Sequence, residues 1–206
     1  MSTDLERNGA GADHASGGQP DPAASAPGEP VIRLARLQDA ATIGDLHVRS
    51  WQAGYAGILP ASVLDRLSPE RRARYWHDTI ANQLARPTTE QTWVVEEAGR
   101  VVGFAASGKA RDADLPNGAG EFHAIYLAPE AWSRGLGGRL FDHTVEHLEA
   151  LGFDPLVLWV IGTNERARAI YGRRGWQPDG TRRTLDFDGT PVDELRYRRA
   201  MADRDR

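Results

Sequence analysis

The feature that most limits what this chain can become is a glycine-rich turn placed between a strand and a helix. Ser133-Arg134-Gly135-Leu136-Gly137-Gly138 follows an extended apolar segment, Glu121 to Leu127, ended by Pro129. It opens a stretch in which Leu136, Leu140, Thr144, Leu148 and Leu151 recur at helical period. Backbone N–H groups in such a turn converge at the positive end of the helix dipole, which makes an anion site. Glycine suits it because a side chain would hold a phosphate off the backbone and would penalise positive φ. A merely flexible turn fits the same letters. Leu156 to Ile161 is apolar without alternation, as in a strand buried on both faces of a parallel pair, so Glu121 to Ile161 reads as a βαβ crossover. No Lys-Ser/Thr pair follows the glycines, and the third glycine and ribose-binding acid of a dinucleotide fingerprint are missing, so ATP and NAD motifs do not fit.

The flanking segments complete an α/β pattern. Val31 to Leu37 reads as a strand, and Asp39 as the cap of a helix carrying Ile43, Leu46, Ser50 and Ala53. A short helix is expected from Ala61 to Arg66. A longer one starts at Ser68-Pro69-Glu70, with a capping serine and proline at the first helical position, and runs to about Leu84. Gln91 to Glu97 and Arg100 to Lys109 form a hairpin about Ala98-Gly99, and Ala113 to Gly120 is a loop. After the crossover come a helix from Asn164 to Arg174 and two strands, Trp176 to Asp186 and Val192 to Met201, turning at Asp188-Gly189. The expected fold is a mixed, mostly antiparallel sheet with one parallel βαβ unit and flanking helices.

Composition sets the boundaries of function. Residues 1–30 are rich in Gly, Ala, Ser and Pro and lack Val, Ile, Phe, Trp and Tyr, so they read as a disordered tail before a single domain over 31–206. Asp4, Glu6, Asp13, Asp21 and Glu29 against Arg7 account for the whole net charge of −4, and the rest of the chain is neutral. A neutral body offers neither a basic footprint for nucleic acid nor a polybasic membrane patch. With 0 cysteines there is no disulfide framework, thiolate metal site or cysteine nucleophile, and no metal is expected. The N-terminus lacks a basic start followed by an apolar run, so the expected address is cytoplasmic.

Ile125-Tyr126-Leu127-Ala128-Pro129-Glu130-Ala131-Trp132-Ser133-Arg134-Gly135-Leu136-Gly137-Gly138 resembles the acetyl-coenzyme A loop of the GNAT N-acetyltransferase superfamily, whose pattern is Gln/Arg-x-x-Gly-x-Gly/Ala. Asn164-Glu165-Arg166-Ala167-Arg168-Ala169-Ile170-Tyr171-Gly172-Arg173-Arg174-Gly175-Trp176 resembles that family's Asn-x-x-Ala-x-x-Phe-Tyr-x-x-x-Gly-Phe, and Arg33, Ala35 and Asp39 its opening. Four positions depart from it: Trp132 stands at the usual Gln/Arg, Ser133 at a frequent glycine, Ile170 at a frequent Phe and Trp176 at the terminal Phe. The resemblance implies acetyl-CoA as co-substrate, bound through the loop Ser133, Arg134, Gly135, Leu136, Gly137 and Gly138; Asn164 caps its helix, contacts the cofactor, or does both. The resemblance also implies that the backbone of Ile125, Tyr126 and Leu127 pairs with the pantetheine arm as an added strand would.

The same resemblance makes Glu121 the base that deprotonates the amine and Tyr171 the proton donor to the departing thiolate. His123, two residues on and on the same face as Glu121, is the alternative base. Trp159 stands where some relatives carry a different glutamate. The acceptor, a small-molecule or protein amine, is expected among Ser50, Trp51, Tyr55, Tyr75, Trp76 and the Asp186 to Arg198 region, whose aromatics suit a flat or cationic amine. The arginines from Arg71 to Arg74 and Arg196 to Arg199 read as solvated faces. A homodimer is compatible with this pattern, and a non-catalytic acyl-CoA-binding module or another phosphate-ligand enzyme are the rival readings.

Overall fold

The computed structural model describes residues 29–86 and 88–199. The tail read as disordered therefore falls outside the described residues but for its last two, and so do Ala200 and Met201, which the sequence reading included in the final strand. The described chain runs β1 (Val31–Leu34), α1 (Ala40–Gly54), α2 (Ala61–Asp65), α3 (Pro69–Ala85), β2 (Gln91–Glu97), β3 (Arg100–Lys109), β4 (Gly120–Leu127), α4 (Leu136–Ala150), β5 (Leu156–Ile161), α5 (Glu165–Arg173), β6 (Gln177–Phe187) and β7 (Thr190–Arg199). The strands form one sheet in the order β1-β2-β3-β4-β5-β7-β6. Only β4 and β5 pair in parallel; the other neighbours are antiparallel.

Local chemistry explains most element ends. Ser68 Oγ accepts from the Arg71 N–H at 3.1 Å and Pro69 opens α3, as the sequence spells out. Asp188 and Gly189, with φ of 54° and 79°, make the left-handed pair that a two-residue hairpin needs, and Ala98 and Gly99 do the same at 48° and 75°. The first strand is shorter than its letters suggest. The Asp39 carboxylate accepts from the Arg36 N–H and from the Arg33 guanidinium, each at 2.7 Å, and draws the chain into a 3₁₀ turn over Leu37–Asp39. Held in that way, Asp39 gives α1 no side-chain cap, contrary to the expectation.

Helices cover both faces of the sheet. On one side α1 and α3 pack over Phe104, whose ring lies 4.8 Å from Trp76. On the other, α4 covers Trp93, whose ring lies 4.5 Å from His143. Strand β4 serves both sides because it carries a bulge. Ala124 opposes Ala106 and Phe122 opposes Ser107, which leaves His123 as an extra residue. Phe122 accordingly stacks on Phe141 of α4 at 4.6 Å, while Tyr126 stacks on His47 of α1 at 4.9 Å. In an unbroken strand these two, four residues apart, would share a face. Past the bulge β4 also leaves its parallel neighbour: the two strands pair only from Gly120 to Phe122 against Leu156 to Leu158.

Candidate active site

The parting of β4 from β5 opens a cleft of about 710 Å³ between the end of β4, the start of α4 and α5. Its wall includes Ile125, Tyr126, Leu127, Ser133, Gly135, Gly137, Gly138, Asn164 and Tyr171, which brings together nine of the residues singled out in the sequence. Ala128 N–H bonds the Val102 carbonyl on β3 at 2.9 Å. By strand alternation the main-chain groups of Ile125 and Leu127 then face the opening. The Leu127 carbonyl is engaged there: Ser50 Oγ donates to it at 2.6 Å and Trp132 Nε1 at 2.9 Å. Trp132 thus replaces the usual Gln/Arg with a side chain that ties the loop back to the strand.

The turn has the geometry of an anion cradle. Helix α4 begins after Gly135, at φ 80°, without a side-chain cap, so its first-turn N–H groups lie open to a ligand. Ser133 adopts a φ of 62°, the left-handed conformation that glycine would take more easily. A Cβ on Gly137 would come to 3.1 Å of a Leu127 methyl, and one on Gly138 would collide with the Arg174 guanidinium. Two of the sequence-derived loop residues point elsewhere. Arg134 Nη2 pairs with Glu97 at 2.6 Å, and Leu136, at 4% exposure, belongs to the core, so any part they play is through the backbone.

Sequence reasoning missed the arginines of α5. Arg166 lies 4.6 Å over the Trp132 ring, and Arg174 bonds Asp142 at 3.0 Å; both line the cleft with Arg173. Their signal was the helical spacing of Arg166, Ile170 and Arg173 on one face. Asn164 Oδ1 accepts from the Ala167 N–H at 3.1 Å, so it caps α5 while lining the cleft.

Where the strands diverge, a small gap of about 40 Å³ is lined by Tyr55, His123, Tyr126, Trp159 and Tyr171. Burial pushes the Tyr171 hydroxyl up to about 12 and raises those of Tyr55 and Tyr126 as well, so all three stay protonated at neutral pH. Glu121 lines none of the described cavities. It is 1% exposed, and its Oε2 accepts from the Arg111 N–H at 3.0 Å. His123 Nε2 lies 4.0 Å from that oxygen and 3.3 Å from the Lys109 carbonyl, and its Nδ1 is 3.2 Å from Glu90.

On the α1 and α3 side a second cavity of about 270 Å³ is lined by His47, Trp51, Arg72, Tyr75, Trp76, His123 and Tyr126, and closed by residues of the β6–β7 hairpin. Tyr126 lines the cleft, the gap and this cavity alike. Ser50 and Tyr55, expected here, face the cleft instead. Two arginines depart from the solvated reading. Arg196 is 4% exposed and bonds Asp112, Asp114 and Asp179, locking the loop before β4 to the last hairpin. Arg72 is half-buried over Trp51, 5.7 Å from its ring.

An uncapped helix start beside a splayed strand suits a ligand with an anionic group and an extended polar arm. Known proteins carry the same arrangement of elements. The structure resembles PaiA N-acetyltransferase from Thermoplasma acidophilum, solved in complex with coenzyme A, at 18% identity and a TM-score of 0.66 over 81% of this chain and 98% of that one. It resembles a ribosomal-protein-alanine N-acetyltransferase from Brucella melitensis at 20% identity and the same TM-score, over 83% and 99%. In sequence it is 32% identical to the uncharacterised N-acetyltransferase YuaI of Bacillus subtilis, over 65% of this chain and 73% of YuaI. None of the described helices is long and apolar enough to cross a membrane. The profile described as "Acetyltransferase (GNAT) family" matches residues 47–176, which span the helix under the second cavity, the bulged strand, the glycine turn and α5 through Trp176, and the chain belongs to that family as an acyltransferase.

Proposed function

We propose that this chain moves an acetyl group from acetyl-CoA to a primary amine by direct attack, with both substrates bound at once. The observation that carries the reading is the small gap at the strand divergence, where His123 and Tyr171 look onto one space between the cleft and the second cavity. The open amides of α4 and the cations Arg166, Arg173 and Arg174 would hold the pyrophosphate, and the backbone facing the splay would hold the pantetheine arm, its Ile125 groups more than the engaged Leu127 carbonyl. When bound, acetyl-CoA supplies a thioester carbonyl and a thiolate leaving group.

The chain's own residues then have three tasks. One is to take a proton from the amine as its nitrogen bonds the carbonyl carbon. Glu121 is too enclosed to meet the amine itself, so His123 or a water in the gap passes the proton toward it; about 40 Å³ exceeds what one water needs. Another is to meet the sulfur as the carbon–sulfur bond breaks, which falls to the Tyr171 hydroxyl. The last is to keep the two chambers aligned, the work of Tyr126 between them.

The test is release of free thiol from acetyl-CoA across an amine panel, after calorimetry has compared acetyl-CoA with ATP and NAD. Glu121→Gln is expected to depress turnover most at low pH, where the amine most needs a base, with acetyl-CoA affinity preserved. An unchanged pH–rate profile would pass the role to His123 or bulk water. Acetyl-CoA binding with no thiol released for any amine would leave a binding module.

A further inference from the structure

The second cavity holds a cation that the protein does not neutralise. Arg72 lines it and is half-buried, and no carboxylate lies within ion-pair distance of it among the described residues. Arg66, on the same cavity, pairs with Asp188, and elsewhere in the fold Arg33, Arg183 and Arg196 each hold acids. Beside Arg72 sits His47, 6% exposed, whose Nδ1 accepts from Trp76 Nε1 at 3.1 Å. That bond places the ring proton on Nε2, and Nε2 has no partner. Glu90, Asp186 and Asp188 also line this cavity, Asp188 paired to Arg66, so what Arg72 and the unpaired His47 N–H supply is a local donor corner at the α1–α3 wall and not a uniformly positive chamber.

Gly44 lets α3 approach α1 so closely that a Cβ there would fall 2.5 Å from the Ala73 nitrogen, and Arg72, one residue earlier, is thereby pressed over Trp51. The aromatic face that would have welcomed a cationic amine is therefore already covered by the protein's own cation.

We propose that the acceptor is a small amine that also carries a carboxylate, of amino-acid type, with Arg72 gripping the carboxylate in the second cavity while the amine points past Tyr126 toward the gap. A guanidinium matches a carboxylate through two parallel N–H bonds, and the same positive field disfavours an ammonium, so it admits the amine as the neutral nucleophile. A cavity of about 270 Å³ suits a molecule of this size. This inference rests on the acetyl-transfer reading for its chemistry but not for its binding, and the test separates the two.

The probes are the L-amino acids and their α-amides, which share side chain and amine and differ in the anion. Thiol release is measured at fixed pH, and calorimetry of the same compounds is run on the coenzyme A-bound protein. For at least one acid–amide pair, Arg72→Met is expected to lower the acid-over-amide ratio of kcat/KM by about 10²-fold, the scale of a lost charged pair. Comparing ratios cancels the difference in amine basicity, and Arg72→Lys, which keeps the charge without the fork, should fall between. A ratio untouched in Arg72→Met would overturn the anion site and leave acetyl transfer standing. Arg72-dependent binding of an amino acid without thiol release would keep the site and remove the transfer. Binding of no amino acid would overturn the proposal outright.

Discussion

At the scale of single residues, Tyr171 shows how environment narrows a chemical role. A hydroxyl held near 12 remains protonated throughout the working range, yet it is a weaker acid than a thiol of pKa about 8.5. In the proposed reaction its contribution would therefore be a hydrogen bond offered to sulfur as charge develops, with the thiolate completing its protonation from water. Tyr171→Phe keeps the ring against Phe141, 5.6 Å away, so fold and acetyl-CoA affinity should hold. The chemical step should slow by on the order of 10²-fold, read in single turnovers at saturating substrates so that product release does not mask it. Equal single-turnover rates would return Tyr171 to a packing role. The motif around this residue was legible because asparagine, alanine, tyrosine and glycine hold fixed places on one short helix. Arg72 was not, since Arg71, Arg72 and Arg74 look alike in sequence until the neighbouring helix decides which one is covered.

At the scale of elements, the glycine turn and the crossover could be read from the letters, because a strand end, a positive-φ glycine and a helical repeat each have local chemistry. The bulge could not. Phe122-His123-Ala124 contains no glycine or proline, and the extra residue exists only relative to Ala106 and Ser107 on β3. The same limit hid the placement of β7 between β5 and β6, which is settled by long-range pairing. Contact between α1 and α3 gives a sharper test of packing. Gly44→Ala puts a methyl against the backbone of Ala73 and Pro69, with 2.7 Å to the Pro69 oxygen, so α3 must retreat. A loss of about 1–3 kcal/mol is expected, with Tm falling by roughly 2–4 °C per kcal/mol in a domain of this size. An unaltered melting curve would show that the helices have slack there.

For the whole molecule, His47 links stability to pH. Burial, with Arg72 adding like charge, holds its pKa well below the ordinary value. Trp51, Trp76, Phe104 and Tyr126 pack around it, and none of these offers a negative charge at neutral pH. The folded state keeps the ring neutral while the unfolded chain protonates it below about 6.5. The associated stability is thus complete above that pH and is lost as pH falls toward the folded value, by at most about 1.4 kcal/mol per unit. Thermal unfolding between pH 7.5 and 5.5 should show a steeper decline for the parent than for His47→Gln, even though the variant starts less stable. Parallel declines would assign the acid sensitivity to other groups.

The bulge at His123 has a consequence for descent as well as for chemistry. Because one added residue turns alternate side chains of β4 toward opposite layers, the cleft is walled by α4, α5 and the end of α1, and the second cavity by α1, α3 and the last hairpin. The two linings have Tyr126 in common and draw on different residues of α1. If the second cavity takes the amine as proposed, substitutions along α3 and the last hairpin would leave the glycine turn untouched, and a lineage with this architecture could exchange one amine for another while its cleft stays as it was.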